Sequence, residues 1–264
     1  MLVVQNLTKI FTSGGLFRRG RVVAVNDISF SVKKGEIVSL VGESGSGKTT
    51  TARMILRLIP PTSGRILFEG KDIWRDIKGK HELKEYWRKV HGIFQDVFAS
   101  FNPIYKVDHM LHQVFNLFNE KINERGALIS EALKAVGLRP DEVLGKYPHQ
   151  LSGGQRQRLM IARCFMLKPK LIVADEPTSM VDASTRAGII KLLTELRDQY
   201  GTSIIFIVHD LGLAYYVSDR ILVMYKGRIV EEGTPDEIIS NPQHPYTKRL
   251  LTDIPLFYRK WTDI

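Results

Sequence analysis

The chain has 264 residues, 44% hydrophobic and 25% charged, so we expect a soluble protein with a core of useful size. A membrane channel is excluded because the strongest apolar run, residues 204–208, is far too short to span a bilayer, and an internal disulfide is excluded because Cys164 is the only cysteine. The net charge of +10 allows nucleic acid as a partner, but no aromatic-interleaved basic stripe accompanies the densest patch at Arg18, Arg19 and Arg21, so we expect a solvated loop and no nucleic acid.

The N-terminal stretch from Leu2 to Val32 is rich in residues that favour strands. A Gly/Arg segment from Ser13 to Gly20 interrupts it, which predicts strands joined by a loop. Phe11 lies just before that segment and fits a position in a strand core.

A glycine-rich loop follows a predicted buried strand at residues 36–41. It fits the pattern G-x-x-x-x-G-K-[ST] and leads into a predicted helix, residues 50–59, that Pro60-Pro61 ends. Glycines let backbone N–H groups close around phosphate oxygens, and the helix turns its positive end to the same anion. We therefore predict a nucleotide phosphate site rather than a turn without a ligand. Its residues are Gly42, Glu43, Ser44, Gly45, Ser46, Gly47, Lys48, Thr49 and Thr50.

Two members of that loop have more specific expected roles. Lys48 would reach the β- and γ-phosphates of the nucleotide. The hydroxyl of Thr49 would hold Mg²⁺, which bridges phosphate oxygens.

The spacing of apolar residues changes between residues 98 and 150, from a pattern typical of strands to one typical of helices. Residues 107–118 and 130–136 have the apolar spacing of helices, and Gly137 is a candidate C-terminal cap. We expect a helical subdomain here, inserted into an α/β core, with Gln95 at its entrance. A surface glutamine without a ligand is the alternative for Gln95.

A second glycine-containing stretch, LSGGQ, comprises residues 151–155 and precedes a predicted helix at residues 155–167. The helix N-terminus there would offer N–H groups to an anion. From these five residues alone, a helix cap without a ligand is the preferred interpretation.

Acidic residues follow the next buried strand. The four apolar residues 171–174 end in Asp175-Glu176-Pro177, and a carboxylate at a strand end is the usual place for an aspartate linked to Mg²⁺, here Asp175. Glu176 is left to orient or deprotonate the water that attacks the γ-phosphate. A solvated acidic pair is the weaker alternative, because all four preceding residues are apolar.

The remaining pattern predicts a helix at residues 183–200 closed by Gly201, a buried strand at 203–208 and a hairpin at 220–232. A short helix begins at Thr234-Pro235. His209 follows the buried strand at its carboxyl end, the edge where α/β sheets place ligands, and would donate to the γ-phosphate.

In this order, the motifs resemble those of the ATP-binding cassette (ABC) ATPases. The resemblance covers nearly the whole chain and is carried by GESGSGKT at 42–49, IFQD around Gln95, LSGGQRQR from Leu151, LIVADEP from Leu171, the stretch 179–182 and IVHD around His209. It implies an α/β fold: a P-loop NTPase (RecA-like) core with an N-terminal antiparallel β subdomain and an inserted α-helical subdomain at about residues 96–158. The nucleotide-binding domain would comprise residues 1–240.

The resemblance also implies roles that local patterns leave open. Gln95 would contact Mg²⁺ and the attacking water, and the segment after it would meet a transmembrane partner. Phe11 lies where the family places an aromatic residue that stacks on adenine, so stacking and a strand core position are both open. Ser152, Gly153, Gly154 and Gln155 would cap the γ-phosphate held by the loop of a second cassette. Asp182 would contact the nucleotide site across that dimer.

The tail NPQHPYTKRLL from Asn241, GGLFRRG from Gly14 and FASFNP from Phe98 resemble the oligopeptide/dipeptide importer branch. This implies an ATPase subunit peripheral to the cytoplasmic face of the membrane, coupling ATP hydrolysis to peptide uptake. Its partners would be a second cassette, identical or paralogous, two transmembrane permease subunits and an extracytoplasmic solute-binding protein. Many members continue into a tail that holds an iron–sulfur cluster. Four thiolates are needed and Cys164 is alone, so we expect no cluster in the extension 241–264.

Three alternatives remain beside peptide import. Oligosaccharides travel through similar systems. A cassette acting on DNA or the ribosome predicts a coiled-coil insertion or two cassettes in one chain, and neither is visible in the sequence. A small-molecule kinase using only the phosphate loop leaves LSGGQ and His209 unexplained.

Overall fold

The computed structural model describes residues 1–15, 18–95, 101–117, 124–179 and 181–252, and for residues 13–15, 18–19 and 183–184 it describes only the backbone. Several sequence expectations fall outside these residues. They concern the centre of GGLFRRG, the first part of FASFNP, the start of the predicted helical subdomain at residue 96, Met180 in the stretch 179–182, and the extension beyond residue 252.

The described residues form ten strands and ten α-helices. The strands are β1 (Leu2–Gly15), β2 (Arg18–Val32), β3 (Ile37–Val41), β4 (Ser63–Phe68), β5 (Lys71–Asp72), β6 (Val90–Ile93), β7 (Leu171–Asp175), β8 (Ser203–Val208), β9 (Arg220–Tyr225) and β10 (Arg228–Gly233). The helices are α1 (Lys48–Ile55), α2 (Lys80–Lys89), α3 (Val107–Leu117), α4 (Arg125–Ala135), α5 (Pro140–Val143), α6 (Gly153–Leu167), α7 (Ala183–Tyr200), α8 (Leu211–Val217), α9 (Pro235–Ser240) and α10 (Pro245–Thr252).

The chain divides into two compact units. Unit 1 comprises Met1–Asp76 and Ile205–Ile264, and unit 2 comprises Ile77–Ile204. Unit 1 holds an antiparallel sheet in the order β2-β1-β4-β5. It also holds strands in the order β10-β9-β3-β8, of which β3 and β9 run parallel and β9 and β10 antiparallel. Every residue of β3 and of β8 is buried, and each strand is apolar except for one serine, Ser39 in β3 and Ser203 in β8, as strands buried on both faces of a parallel sheet usually are.

The predicted loop at residues 13–20 is wrong in extent. β1 continues to Gly15 and β2 begins at Arg18, with Ser13 paired to Gly20. The polar and glycine-rich composition suggested a loop, but antiparallel pairing satisfies the backbone groups of these residues whatever their side chains.

The helix after the glycine-rich loop is shorter than predicted. α1 ends at Ile55, not at residue 59, because Arg57 adopts a left-handed conformation with φ of 58°. The N–H of Arg57 then donates to Met54 O at 3.2 Å and that of Leu58 to Arg53 O at 2.8 Å. These two bonds satisfy the last carbonyl groups of the helix, so it ends before the two prolines are reached.

Unit 2 contains the parallel pair β6 and β7 and several helices. α3 and α6 confirm the predicted helices, while α4 begins five residues before its predicted start. Gly137 has φ of 69°, as its predicted capping position requires. α7 confirms the predicted bounds and buries Ile189, Leu193 and Leu196, but Tyr200, predicted on the same apolar face, is 39% exposed.

The environment of Cys164 and the character of the helices were both predicted from the sequence. Cys164 is buried, and burial raises the pKa of its thiol to about 12. Among the described helices, none has both the length and the apolar character needed to cross a membrane.

Candidate functional site

The glycine-rich loop between β3 and α1 packs closely against backbone on one side. A Cβ added to Gly42 would lie 2.1 Å from Met224 O, and one added to Gly47, where φ is 106°, would lie 2.4 Å from Ala24 O. An added Cβ at Gly45 would meet no described atom within 4 Å. The loop is therefore supported on one side and open on the other, which is the shape of an anion cradle.

The side chain of Lys48 lies along this loop and is only 5% exposed. Its Nζ donates to Gly42 O at 2.5 Å and to Glu43 O at 2.8 Å, with Ser46 Oγ farther away at 3.4 Å. Two loop carbonyl groups thus fix the ammonium group at the start of α1. Gly47, the residue before the helix, provides no side-chain cap, so N–H groups of the first turn point toward the place where a phosphate would lie.

The turn between β9 and β10 supports the loop from behind. Gly227 N–H donates to Ser46 O at 3.0 Å, and Gly227 O accepts from Asn26 N–H at 2.8 Å. The sequence showed this turn as a hairpin but gave no sign that it contacts the loop. A backbone contact between segments about 180 residues apart has no local sequence signature.

Two other predicted residues of unit 1 are exposed. His209 follows β8 and is exposed, and the next residue, Asp210, caps α8 by accepting from Gly212 N–H at 2.8 Å and Leu213 N–H at 3.3 Å. Phe11 is 43% exposed with Lys9 Nζ 5.1 Å from its ring centroid. The strand core alternative for Phe11 is therefore wrong, and the ring is available for stacking on a base.

Unit 2 carries the acidic pair at the end of β7. Asp175 is buried, and Glu176 follows it in a left-handed conformation with φ of 48°. The carbonyl of Glu176 accepts from the N–H and the hydroxyl of Ser179, at 3.2 Å and 3.0 Å. A left-handed glutamate costs about 1 kcal/mol or more, and these two bonds offset part of that cost.

Gln95 lies near the same end of the parallel pair. Ile93 of β6 is in register with Ala174 of β7, so Gln95 and Glu176 are each two residues beyond that pair. Gln95 is exposed and Glu176 is partly exposed. The fold thus brings Gln95 and Glu176, the two predicted catalytic residues of unit 2, to the C-terminal ends of β6 and β7. Parallel sheets bind ligands at that end of their strands.

The LSGGQ stretch forms the N-terminus of α6. Ser152 Oγ accepts from Gln155 N–H at 3.1 Å, and Gln155 Oε1 accepts from Ser152 N–H at 2.9 Å. This reciprocal capping box engages the amide oxygen of Gln155 within the chain. Ser152 itself stays exposed, with Gly153 and Gly154 at the first two helical positions.

Gly154 lies against the start of α7, where Asp182 is the N-cap. A Cβ added to Gly154 would be 3.0 Å from Thr185 Cγ2. Asp182 accepts from both the N–H and the hydroxyl of Thr185, at 2.9 Å and 3.0 Å. Thr185, which the sequence did not single out, therefore joins the two segments predicted to meet a second cassette.

The family described as ABC transporter matches residues 25–179. The chain belongs to the ABC transporter family. This confirms the resemblance stated from the motifs, and the cassette is an ATPase that binds ATP as its nucleotide. The match extends over the phosphate loop, LSGGQ and the acidic pair.

Individual relatives extend the likeness beyond that region. The cassette is 45% identical over 258 residues to the oligopeptide transport ATP-binding protein OppF of Bacillus subtilis (strain 168), covering 97% of this chain and 83% of the relative. It is 44% identical over 257 residues to the dipeptide transport ATP-binding protein DppF of Lactococcus lactis subsp. cremoris (strain MG1363), covering 96% and 80%.

A solved structure confirms the predicted fold class. The dimeric ATP-binding cassette MJ0796, in a post-hydrolysis state bound to ADP and Pi, matches with a TM-score of 0.79 and 28% identity, over 89% of this chain and 99% of that one. The P-loop NTPase core with a β subdomain and an α-helical subdomain is thus the fold of the cassette.

Proposed function

We propose that this cassette is the ATP-hydrolysing subunit of an importer that carries oligopeptides or dipeptides through separate permease subunits. The observation that supports this most is the 44–45% identity to oligopeptide and dipeptide transport ATP-binding proteins over 96–97% of the chain. A span of that length reaches into the tail after residue 240. The cassette would lie at the cytoplasmic face of the membrane, with a solute-binding protein delivering peptide on the other side.

In unit 1, ATP binding would depend on the phosphate loop. Backbone N–H groups of the loop and of the first turn of α1 would bind phosphate oxygens, and Lys48, already fixed by two carbonyl groups, would neutralise their charge. Phe11 would stack on the adenine, since its ring is exposed. His209 would donate to the γ-phosphate.

Hydrolysis breaks the bond between the γ-phosphorus and the oxygen that bridges it to the β-phosphate. The attacking water would be oriented by Gln95, and its proton would pass to the carboxylate of Glu176. Glu176 is partly exposed, whereas Asp175 is buried at the end of β7, so only Glu176 would be open to the attacking water.

The residues present also suit Mg²⁺, because a hydroxyl and a carboxylate supply the oxygen donors that this ion prefers. In unit 1, the hydroxyl of Thr49, exposed in the first turn of α1, would be one oxygen donor. In unit 2, the carboxylate of Asp175 and the amide oxygen of Gln95 would be others. When bound, the ion neutralises charge on the β- and γ-phosphates.

Unit 2 would complete the nucleotide site of a second cassette, which is either identical or a paralogue. Ser152, Gly153 and Gly154 present the start of α6 to an anion, and Asp182 lies next to them through Thr185. ATP binding would hold two cassettes together, and hydrolysis would release them.

A groove in unit 2 would receive a segment of a permease subunit. Its volume is about 280 Å³, and its walls include Phe101, Tyr105, Lys106, His109, Met110 and Pro148. Tyr105 is 47% exposed and stacks on His109 with ring centroids 4.2 Å apart, and the neighbouring Ile104 is 76% exposed. Large apolar side chains exposed together, with polar groups at the rim, are typical of an interaction surface.

The variant Tyr105→Glu tests this groove. We expect ATP affinity to stay within twofold of the parent, because Tyr105 is exposed and far along the chain from the phosphate loop. Copurification of the permease subunits should fall at least about tenfold, since a buried unpaired carboxylate is costly at an interface. Tyr216→Glu is the matched control, a tyrosine 75% exposed that does not line the groove. Equal loss of permease with both variants would contradict the assignment.

Peptide import itself is tested by reconstituting the cassette with its permease subunits in proteoliposomes. Peptide-loaded solute-binding protein should stimulate ATP hydrolysis, and labelled peptide should accumulate in the compartment where ATP is hydrolysed. Stimulation by oligosaccharide-loaded protein, without any response to peptide, would replace the proposed substrate class.

A further inference from the structure

The segment after α9 docks on the β9–β10 hairpin through one carboxylate. Glu231 of β10 accepts from Gln243 N–H at 2.7 Å and from His244 N–H at 3.0 Å. Burial raises the pKa of Glu231, but the hydrogen bonds it accepts outweigh this and hold the pKa below its ordinary value. Since a charged acceptor makes stronger hydrogen bonds, the segment that leads into α10 is held firmly to β10.

α10 places the ring of Tyr246 in a stack of four side chains. The ring is 5% exposed and stacks on Tyr225, with centroids 4.1 Å apart and an angle of 24° between planes. The Arg249 guanidinium lies 5.4 Å from the centroid of Tyr246, and Lys226 Nζ lies 5.1 Å from that of Tyr225. A cation near each ring and the stacking between the rings restrict where the Tyr246 hydroxyl points.

That hydroxyl contacts the phosphate loop. Its oxygen accepts from the backbone N–H of Glu43 at 2.8 Å. The N–H belongs to the peptide unit that joins Gly42 to Glu43, and the carbonyl of the same unit accepts from Lys48 Nζ at 2.5 Å. A peptide unit is planar and trans, so its N–H and C=O point in opposite directions. A bond that fixes the N–H therefore also fixes the direction of the carbonyl that binds Lys48.

We propose that Tyr246 is a positioning residue for ATP binding, which orients Lys48 through the peptide unit between Gly42 and Glu43. The inference rests on the proposed role of Lys48 in phosphate binding. Without the hydroxyl, this peptide unit rotates more freely and the ammonium group loses a preorganised acceptor. Binding ATP then costs the entropy of ordering the loop and the lysine together.

The ion pair between Arg249 and the side chain of Glu43 is a weaker contribution. The Arg249 side chain is 55% exposed and that of Glu43 is 50% exposed. Exposed pairs of this kind contribute little, because water screens them and both side chains must be ordered. The hydroxyl of Tyr246, in contrast, acts from a buried ring on a backbone group.

The test uses the full chain and compares three tyrosine variants. Tyr246→Phe keeps the ring and its stacking but removes the hydroxyl, and we expect the Kd for ATP to rise about three- to tenfold, the usual effect of one hydrogen bond. KM for ATP should rise by a similar factor while kcat stays within twofold. Tyr246→Ala should weaken binding at least as much and also lower thermal stability. Tyr215→Phe, which removes another tyrosine hydroxyl that donates to Asp236 at 3.0 Å, should bind ATP like the parent.

Two results would contradict this role of Tyr246. If Tyr246→Phe binds ATP like the parent or more tightly, the hydroxyl does not orient Lys48 and the inference is overturned; a loss confined to Tyr246→Ala would mean that the ring only packs. Lys48→Ala separates this failure from failure of the proposed site. Parent-like ATP affinity of Lys48→Ala would remove the phosphate-binding role itself.

Discussion

Replacing Glu176 by glutamine is expected to slow ATP hydrolysis by about 10²- to 10⁴-fold, the range that one general base contributes. The amide keeps the size and hydrogen-bonding capacity of the side chain but cannot accept the proton of the attacking water. ATP binding should be unchanged, because the phosphate loop is intact. Bound ATP therefore persists, and the variant should accumulate as a dimer. Phosphate release and light scattering after size exclusion with Mg·ATP measure the two effects.

The control for this variant is Glu195→Gln, the same chemical change on the surface of α7. The Glu195 side chain is 34% exposed, and its carboxylate lies 3.9 Å from Lys191 Nζ, which is long for an ion pair. Loss of this weak ion pair should leave the rate of ATP hydrolysis within twofold of the parent. Parent-like turnover by Glu176→Gln would show that another group takes the proton.

The variant Ser152→Arg is expected to hydrolyse ATP at least about 10²-fold more slowly than the parent, while its Kd for ATP stays within twofold of the parent value. Ser152 is exposed at the start of α6, where the second cassette would bring its γ-phosphate. A long charged side chain there prevents the close approach of two cassettes. The double variant with Glu176→Gln makes this visible, since it should remain monomeric with Mg·ATP.

The variant Ser152→Ala distinguishes the steric effect of the arginine side chain from the effect of losing the helix cap. Alanine removes the Oγ that accepts from Gln155 N–H, which costs about 1 kcal/mol of stability, but adds no obstacle. In the Glu176→Gln background it should still form the dimer with ATP. Dimers of the Ser152→Arg, Glu176→Gln double variant would exclude LSGGQ from the interface between cassettes.

The parts of the fold that were predicted from sequence are those with a contiguous signal. β7 begins with four consecutive apolar residues and β8 ends with five, and the phosphate loop is one eight-residue pattern between a buried strand and a helix. Such segments can be recognised locally, because burial on both faces of a sheet favours a run of apolar residues. The predicted site residues remain predictions about function, but their elements lie where the patterns indicated.

What was missed depends on conformation and on contacts between distant segments. The early end of α1 comes from a left-handed arginine, a conformation that its sequence does not signal. The bond between Tyr246 and Glu43 joins residues 203 positions apart, and the motif in which Tyr246 lies indicated only a branch of the family. β1 and β2 pair through residues that resemble a loop, because backbone pairing is independent of composition.

The hairpin turn behind the phosphate loop is synthesised long after the loop that it supports. Gly47 leaves the ribosome roughly 180 residues before Gly227, which at about 5–20 residues per second is a delay on the order of 10–40 s. During that time neither the turn that bonds Ser46 nor α10 exists. The nascent chain therefore carries the glycine-rich phosphate loop before the backbone that supports it has been made.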